Sequence, residues 1–200
     1  MLISRGRLNV GVDPQPSAAF RFNDELNKEY RLNVITSDGF FQFYNDSKIL
    51  YDLIFIDGLH TFEQTAKDIV NVLLKTSHNN TDILVHDIIP INKFIATPHR
   101  ATEHWTGDVY KLTYFLELIG VNFQVFLSPP SGLLWVKGEQ KGKVRKFEGF
   151  GDEYQTLIDK VNKSYALDGY EINNLLKQLA NFIVDSHSLE YFKIIKEIKS

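Results

Sequence analysis

The chain has 200 residues, of which 44% are hydrophobic and 24% are charged, and this balance is typical of a soluble globular protein. Its net charge of −3 argues against a nucleic-acid-binding surface, which needs clustered basic residues. The absence of cysteine excludes disulfides, thiolate metal sites and a cysteine nucleophile, and it fits a reducing, cytoplasmic environment. No apolar stretch approaches the roughly 18 residues that a membrane span requires, so no membrane partner is expected.

The first part of the chain alternates short apolar runs with helical patterns, which is typical of an α/β fold. We predict strands over residues 8–12, 32–36, 53–56 and 83–85, and helices over residues 17–30, just after Ser37, and from Thr61 to about residue 75. The uniformly apolar third strand indicates a central strand buried on both faces. Thr61 and Gln64 have the spacing of a capping box, and the polar residues 77–81 are predicted to form a loop.

The second part of the chain is less regular. Residues 88–106 contain two prolines and no clear period, which predicts a long loop. A helix is predicted from Gly107 to about residue 119, followed by strands over residues 121–127 and 133–137 that form an antiparallel pair at the sheet edge. Residues 140–151 are interpreted as a charged linker.

The remaining residues predict three amphipathic helices. Their apolar stripes are Tyr154, Leu157, Ile158 and Val161; Ile172, Leu175, Leu176, Leu179 and Ile183; and Leu189, Phe192, Ile195 and Ile198. We therefore divide the chain into one domain over residues 1–139 and a linker with a helical extension over residues 140–200. Three roles stay open for these helices: structural packing on the domain, a homodimer interface, or a lid over the substrate.

Acidic and histidine side chains follow several of the predicted strands. They stand in five short motifs, which are Gly11-Val12-Asp13, Ser37-Asp38, Asp57-Gly58-Leu59-His60, His86-Asp87 and Gly107-Asp108-Val109-Tyr110-Lys111. In open parallel sheets, ligands bind at the edge where the strands have their carboxyl ends. The strand-end residues are therefore the candidate functional residues.

The order of these motifs resembles that of the class I S-adenosylmethionine-dependent methyltransferases, and most closely the small-molecule O-methyltransferase branch. The resemblance covers about residues 9–136. It implies a Rossmann-like, mostly parallel sheet with an antiparallel edge strand. It also implies S-adenosylmethionine as the cofactor and methyl transfer to a hydroxyl of a small molecule, such as a sugar or a glycosylated metabolite.

The sequence departs from that family at its start. The family's first strand and glycine-rich loop, which hold the methionine end of the cofactor, have no counterpart here, so we expect weak cofactor binding. That strand normally lies between the second and the fourth, and an empty slot would leave buried backbone groups unpaired. We expect the slot to close by pairing of residues 8–12 with residues 53–56, or to be filled by residues 1–7 or by a partner chain. A truncated or degenerate domain without activity, and another nucleotide-binding α/β protein, stay open as alternatives.

The resemblance assigns cofactor contacts to four positions near the first strands. Asp13 would accept hydrogen bonds from the ribose hydroxyls, and Asp38 would approach the adenine amino group. Ser37 and Phe40 belong to the same cofactor-binding segment, and Asp57 is a further candidate. The structural alternative for Asp13 and Asp38 is a turn or a helix cap.

Asp57, His86 and Asp87 form a candidate metal site, because they follow two strands that are expected to be neighbours. Carboxylates suit Mg²⁺ or Mn²⁺, and an imidazole favours Mn²⁺. Ile88 stands where related metal-dependent enzymes have an amide ligand, and a purely structural pairing is the alternative. His60, with Asp57, is the candidate catalytic pair, because a pKa of about 6.5 suits a general base at neutral pH. The alternative for His60 is a helix cap.

Trp105 and Tyr110 are expected to line the pocket of a small-molecule acceptor, or simply to pack in the core.

Overall fold

The computed structural model describes residues 8–16, 30–43, 49–100, 102–164 and 183–184 of the chain. The chain divides into two compact units, one formed by Met1–Lys48 with Lys193–Ser200 and the other by Ile49–Phe192. Each unit contains its own sheet, and each is described by itself.

The first unit contains a two-stranded parallel sheet. β1 (Asn9–Val12) pairs with β2 (Tyr30–Asn33), and α1 (Ser37–Phe43) follows. The Gly39 N–H donates to Thr36 Oγ1 over 3.2 Å, so the hydroxyl of Thr36 caps the start of α1. β2 ends three residues earlier than predicted, and residues 17–29 of the predicted helix lie outside the described residues.

The second unit contains a five-stranded sheet. Its strands are β3 (Tyr51–Ile56), β4 (Ser77–His86), β5 (Gln124–Phe126), β6 (Leu133–Lys137) and β7 (Ile183–Val184), in the order β3-β4-β6-β5-β7. β6 is antiparallel to both of its neighbours, whereas the β3–β4 and β5–β7 pairs are parallel. The predicted α/β class with a mostly parallel sheet is confirmed. The antiparallel strand β6, however, lies inside the sheet and not at its edge.

Within the described part of this unit, four helices accompany the sheet. They are α2 (Phe62–Asn71), which continues as a π-helical turn over Val72–Thr76, α3 (Lys111–Leu118), α4 (Lys141–Val144) and α5 (Asp152–Ser164). An aromatic cluster joins three of them, since Phe115 of α3 lies 6.1 Å from Phe62 of α2 and 6.0 Å from Tyr154 of α5, measured between ring centroids. This packing holds α2, α3 and α5 together on one aromatic cluster.

Several predicted elements are wrong. Residues 77–81 belong to β4, because Thr81 Oγ1 donates to the Tyr51 carbonyl and ties this polar stretch to β3. The predicted linker is a packed segment with two short 3₁₀ turns around α4, in which Val144 and Phe147 are fully buried. α3 begins at Lys111 and not at Gly107. Ile183, assigned to a helical stripe, lies in β7; residues 165–182 and 185–200 lie outside the described residues.

The β3 strand has a different environment from the one predicted. Among the described residues of its own unit it pairs only with β4. The expected pairing of residues 8–12 with residues 53–56 would join the two units and stays a prediction. Residues 1–7 lie outside the described part. Phe55 is 49% exposed, so β3 is not buried on both faces. Of the helices described, none is long and apolar enough to cross a membrane.

Candidate active site

The carboxyl ends of β3 and β4 bring four of the candidate side chains together. Because Ile56 is in register with Val85, Asp57 and His86 begin side by side, and Asp87 follows directly. Asp57, His86 and Asp87 each offer a ligand atom, and these atoms lie within 4.8 Å of one another. With His60, they line a small cavity that also includes Ile56, Thr65 and Val109.

His60 is held on both sides of its ring. Its Nε2 lies 3.3 Å from Asp57 Oδ1, and its Nδ1 lies 3.1 Å from Asp87 Oδ2 and 2.8 Å from the Trp105 carbonyl. The ring also stacks on that of Trp105, with centroids 5.3 Å apart. The carboxylate of Asp57 raises the pKa of His60, and the imidazoles of His60 and His86 hold the pKa of Asp57 well below its usual range.

His86 has a buried nitrogen with no hydrogen bond. Its Nδ1 lies 3.4 Å from Asp57 Oδ1 and 3.3 Å from Asp87 Oδ1, yet it makes no hydrogen bond to any described residue. These two carboxylates, Asp57 first, raise the pKa of His86 to about 10. An unprotonated Nδ1 would direct its lone pair at two negative oxygens, so the position calls for either a proton or a cation.

Ser131 belongs to this site and was not predicted from the sequence. Its buried hydroxyl donates to Asp87 Oδ1 over 2.5 Å and lies 3.4 Å from His86 Nε2. The Ile89 N–H donates to the Ser131 carbonyl, so the loop between β5 and β6 supports the turn after β4. Because its proton goes to a carboxylate, Ser131 orients Asp87 and is not activated as a nucleophile by His86.

Two of these residues have left-handed backbone conformations. The φ angle is 36° at His60 and 62° at Asp87. Such angles are uncommon for residues other than glycine and cluster at functional sites, where the surrounding structure maintains them. The site therefore carries backbone strain at its candidate base and at one of its carboxylates.

The candidate cofactor residues lie in the other unit, apart from Asp57. Asp13 directly follows β1 and is exposed, and its Oδ1 accepts a hydrogen bond from the Gln15 N–H over 2.7 Å. This contact is the predicted turn alternative. Ser37, Asp38 and Phe40 occupy the first residues of α1, where Asp38 is exposed.

The two aromatic candidates for an acceptor pocket differ in their surroundings. Trp105 is half-buried against His60, and its Nε1–H donates to the Thr97 carbonyl over 2.6 Å. Tyr110 has no exposed surface, so of the two expectations for this residue the structure fits packing in the core.

Comparison with known proteins finds a family whose sequence model matches part of the chain. A sequence model of the family described as "Methyltransferase domain" matches residues 3–88. This stretch holds the candidate residues from Asp13 to Asp87, and the match confirms the resemblance drawn from the motif order. No curated protein matches the chain.

Nine chains of solved structures also match. One, described as a "putative O-methyltransferase from Klebsiella pneumoniae", is 17% identical with a TM-score of 0.44, over 65% of this chain and 62% of that chain. The present chain thus spans less than two thirds of that structure's length.

Proposed function

We propose, from the match of residues 3–88 to the methyltransferase domain family, that this protein transfers a methyl group from S-adenosylmethionine to a hydroxyl group of a small molecule. S-adenosylmethionine is the cofactor of this family. The observation that carries the proposal is the position of His60, whose imidazole contacts both Asp57 and Asp87 at the carboxyl ends of β3 and β4. A base held there suits proton removal from an acceptor hydroxyl. A sugar or a glycosylated metabolite is the acceptor class that the motif resemblance suggests.

His60 has the hydrogen-bonding arrangement of a general base. Its Nδ1–H donates to the Trp105 carbonyl, so Nε2 is the nitrogen that would accept the proton of the acceptor hydroxyl. Because Asp57 Oδ1 lies 3.3 Å from Nε2 and raises the pKa of His60, this nitrogen serves as a base only while the Asp57 carboxylate is engaged by a cation or by the acceptor hydroxyl. The imidazolium so formed has its Nε2 3.3 Å from Asp57 Oδ1 and its Nδ1 3.1 Å from Asp87 Oδ2, and both carboxylates stabilise it. S-adenosylmethionine supplies the methyl group on a positively charged sulfur. The remaining task of the protein is to align the acceptor oxygen with that carbon.

The same cluster fits a divalent cation. Two carboxylates and the buried, hydrogen-bond-free Nδ1 of His86 form a mixed oxygen and nitrogen donor set. We propose that Asp57, His86 and Asp87 hold Mn²⁺ or Mg²⁺, of which the imidazole favours Mn²⁺. A bound cation would lower the pKa of the acceptor hydroxyl.

A transfer assay tests the proposed function. The protein is incubated with methyl-labelled S-adenosylmethionine, Mn²⁺ and a panel of sugars, glycosides and other small alcohols, and methylated products are detected by mass spectrometry. We expect turnover with at least one acceptor class and a loss of about 100-fold or more in the His60→Gln variant, because general-base catalysis contributes about 10²–10⁴-fold.

His78→Gln is the matched control for this assay. His78 also contacts a carboxylate, with its Nε2 2.9 Å from Asp52 Oδ1, but this pair lies at the other end of β3 and β4. The control should retain wild-type turnover. Folded wild-type protein without turnover on any acceptor would favour the alternative of a domain without activity, and full turnover in His60→Gln would remove His60 as the base.

A further inference from the structure

A buried ion pair lies next to the candidate active site formed by Asp57, His60, His86 and Asp87. Lys111 Nζ is 2.8 Å from Asp108 Oδ2, and the two side chains are only 7% and 6% exposed. The other oxygen of Asp108, Oδ1, accepts a hydrogen bond from the Phe62 N–H over 2.8 Å. Buried charges are costly unless they are paired and hydrogen-bonded, so the position of this carboxylate is strictly constrained. Neither charged residue has a part in the proposed chemistry.

The chain next to Asp108 encloses His60. The Trp105 carbonyl accepts the hydrogen bond from His60 Nδ1, and the Trp105 ring stacks on the imidazole. Gly107, with φ +65°, packs so closely on the backbone of His60 that an added Cβ would lie 1.5 Å from the His60 oxygen. Residues 105–108 therefore contact the ring of His60, its carbonyl and the amide two residues later.

Asp108, and not the adjacent Thr61, provides the side-chain cap at the amino-terminal end of α2. Thr61 stands at the N-cap position of α2, but its side chain makes no capping hydrogen bond. The cap comes instead from a residue 46 positions away in the sequence. A local cap would stabilise α2 alone, whereas this distant cap also fixes the segment 105–108 against residues 60–62.

The ion pair is tied to a third helix. Lys111 Nζ donates to Asn162 Oδ1 over 3.1 Å, and Asn162 Nδ2 donates to Glu63 Oε1 over 2.9 Å. The chain of contacts starts at Phe62, passes through Asp108, Lys111 and Asn162, and returns to α2 at Glu63. Because Phe62 and Glu63 are neighbours in α2, these contacts form a closed network that holds the start of α2 against α3 and α5.

We propose that Asp108, held by Lys111, is a positioning residue that maintains the left-handed backbone and the ring orientation of His60. The role of His60 as a base rests on the proposed function, whereas its positioning by Asp108 rests on the contacts alone. Asp108 touches no reacting atom in this proposal. It acts through the Phe62 amide and through the segment that carries Gly107 and Trp105.

The test is the nitrogen-15 and proton NMR spectrum of the His60 imidazole in wild type and in Asp108→Asn, recorded at one pH. Asparagine keeps an oxygen for the Phe62 N–H but loses the charge that Lys111 pairs with. We expect a changed or doubled set of His60 ring signals, and at least a tenfold fall in kcat with KM for the cofactor within twofold. Glu153→Gln is the matched control, because it removes an acidic partner of a lysine, Lys146, in an exposed ion pair.

Unchanged His60 signals in folded Asp108→Asn would overturn the proposal and leave Asp108 with a merely structural role. If Asp108→Asn does not fold, Lys111→Gln provides the same test, because its amide still donates to Asp108 without the charge. Unchanged His60 signals there would overturn it equally. A wild-type protein without turnover would contradict the proposed function only, since the NMR comparison does not need activity.

Discussion

His86 lies between two carboxylates, and this position couples the stability of the protein to pH. Its pKa is raised from 6.5 to about 10, so the folded protein holds this proton more tightly than the unfolded chain does. In metal-free protein the resulting stabilisation is complete below about pH 6.5 and is lost as the pH rises toward about 10. Asp57 has a lowered pKa, so its contribution is present above the ordinary 3.8 and is lost as the pH falls below it.

The same proton gives a test of the metal site. A cation at Asp57, His86 and Asp87 must displace the proton from His86 Nδ1, and metal affinity therefore rises as protons become scarcer. Because Mn²⁺ binds the folded state, we expect it to raise Tm, and to do so more at pH 8.5 than at pH 6.0. The effect should disappear in Asp87→Asn and persist in the control Asp52→Asn, whose side chain is 98% exposed. An increase in Tm that persists in Asp87→Asn, or no increase in Tm at millimolar Mn²⁺, would contradict the proposed metal site.

The sequence allowed part of this site to be predicted. Asp57, His86 and Asp87 stand directly at the ends of apolar runs, and the carboxyl ends of parallel strands meet at one edge. Ser131 carries no such signal, and the motif that contains Asp108 does not indicate its partner, because the two contacts join residues 44 and 46 positions apart. A hydrogen bond between distant segments leaves no period in a single sequence.

At the scale of elements, the turn before α3 depends on Gly107. Both Gly107 and Gly149 have left-handed φ angles, of +65° and +81°, but only Gly107 has a backbone atom in the way of a Cβ. We expect Gly149→Ala to cost about 1–2 kcal/mol, the strain of the left-handed conformation alone. Gly107→Ala should cost more than about 3 kcal/mol, because it must also displace the carbonyl of His60.

Urea unfolding of the two alanine variants measures this difference directly. Gly149→Ala controls for strain, since it has nothing within 4 Å of the added carbon. An equal decrease in the free energy of unfolding in the two variants would show that the backbone of His60 is free to move. The proposed fixed geometry of the base would then lose its support.

The element boundaries that failed have a common cause. Residues 140–151 are rich in charge and glycine, which predicted a linker, yet Val144 and Phe147 bury their side chains completely. Residues 77–81 are polar, yet the Thr81 hydroxyl donates to the Tyr51 carbonyl of β3 and accepts a hydrogen bond from the His78 N–H, which holds the segment beside β3. In both segments one or two tertiary contacts outweigh the local composition, and single-sequence patterns do not register such contacts.

At the scale of the whole molecule, the α/β class followed from the apolar runs and helical patterns, and the mostly parallel sheet was implied by the family resemblance. The arrangement of strands did not follow. β6 inserts between β4 and β5, and β3 has a strand partner on one side only among the described residues. Strand order depends on contacts between distant segments, so alternation along the chain cannot fix it.

Whether this chain uses S-adenosylmethionine is decided by calorimetric titration with S-adenosylhomocysteine, the product left after methyl transfer. In keeping with the weak cofactor binding expected from the sequence, we predict saturable binding of one molecule per chain, with Kd between about 10 µM and 1 mM, or about −7 to −4 kcal/mol. S-adenosylmethionine should compete for the same site. No heat of binding at millimolar ligand, in protein whose circular dichroism shows that it is folded, would contradict the account.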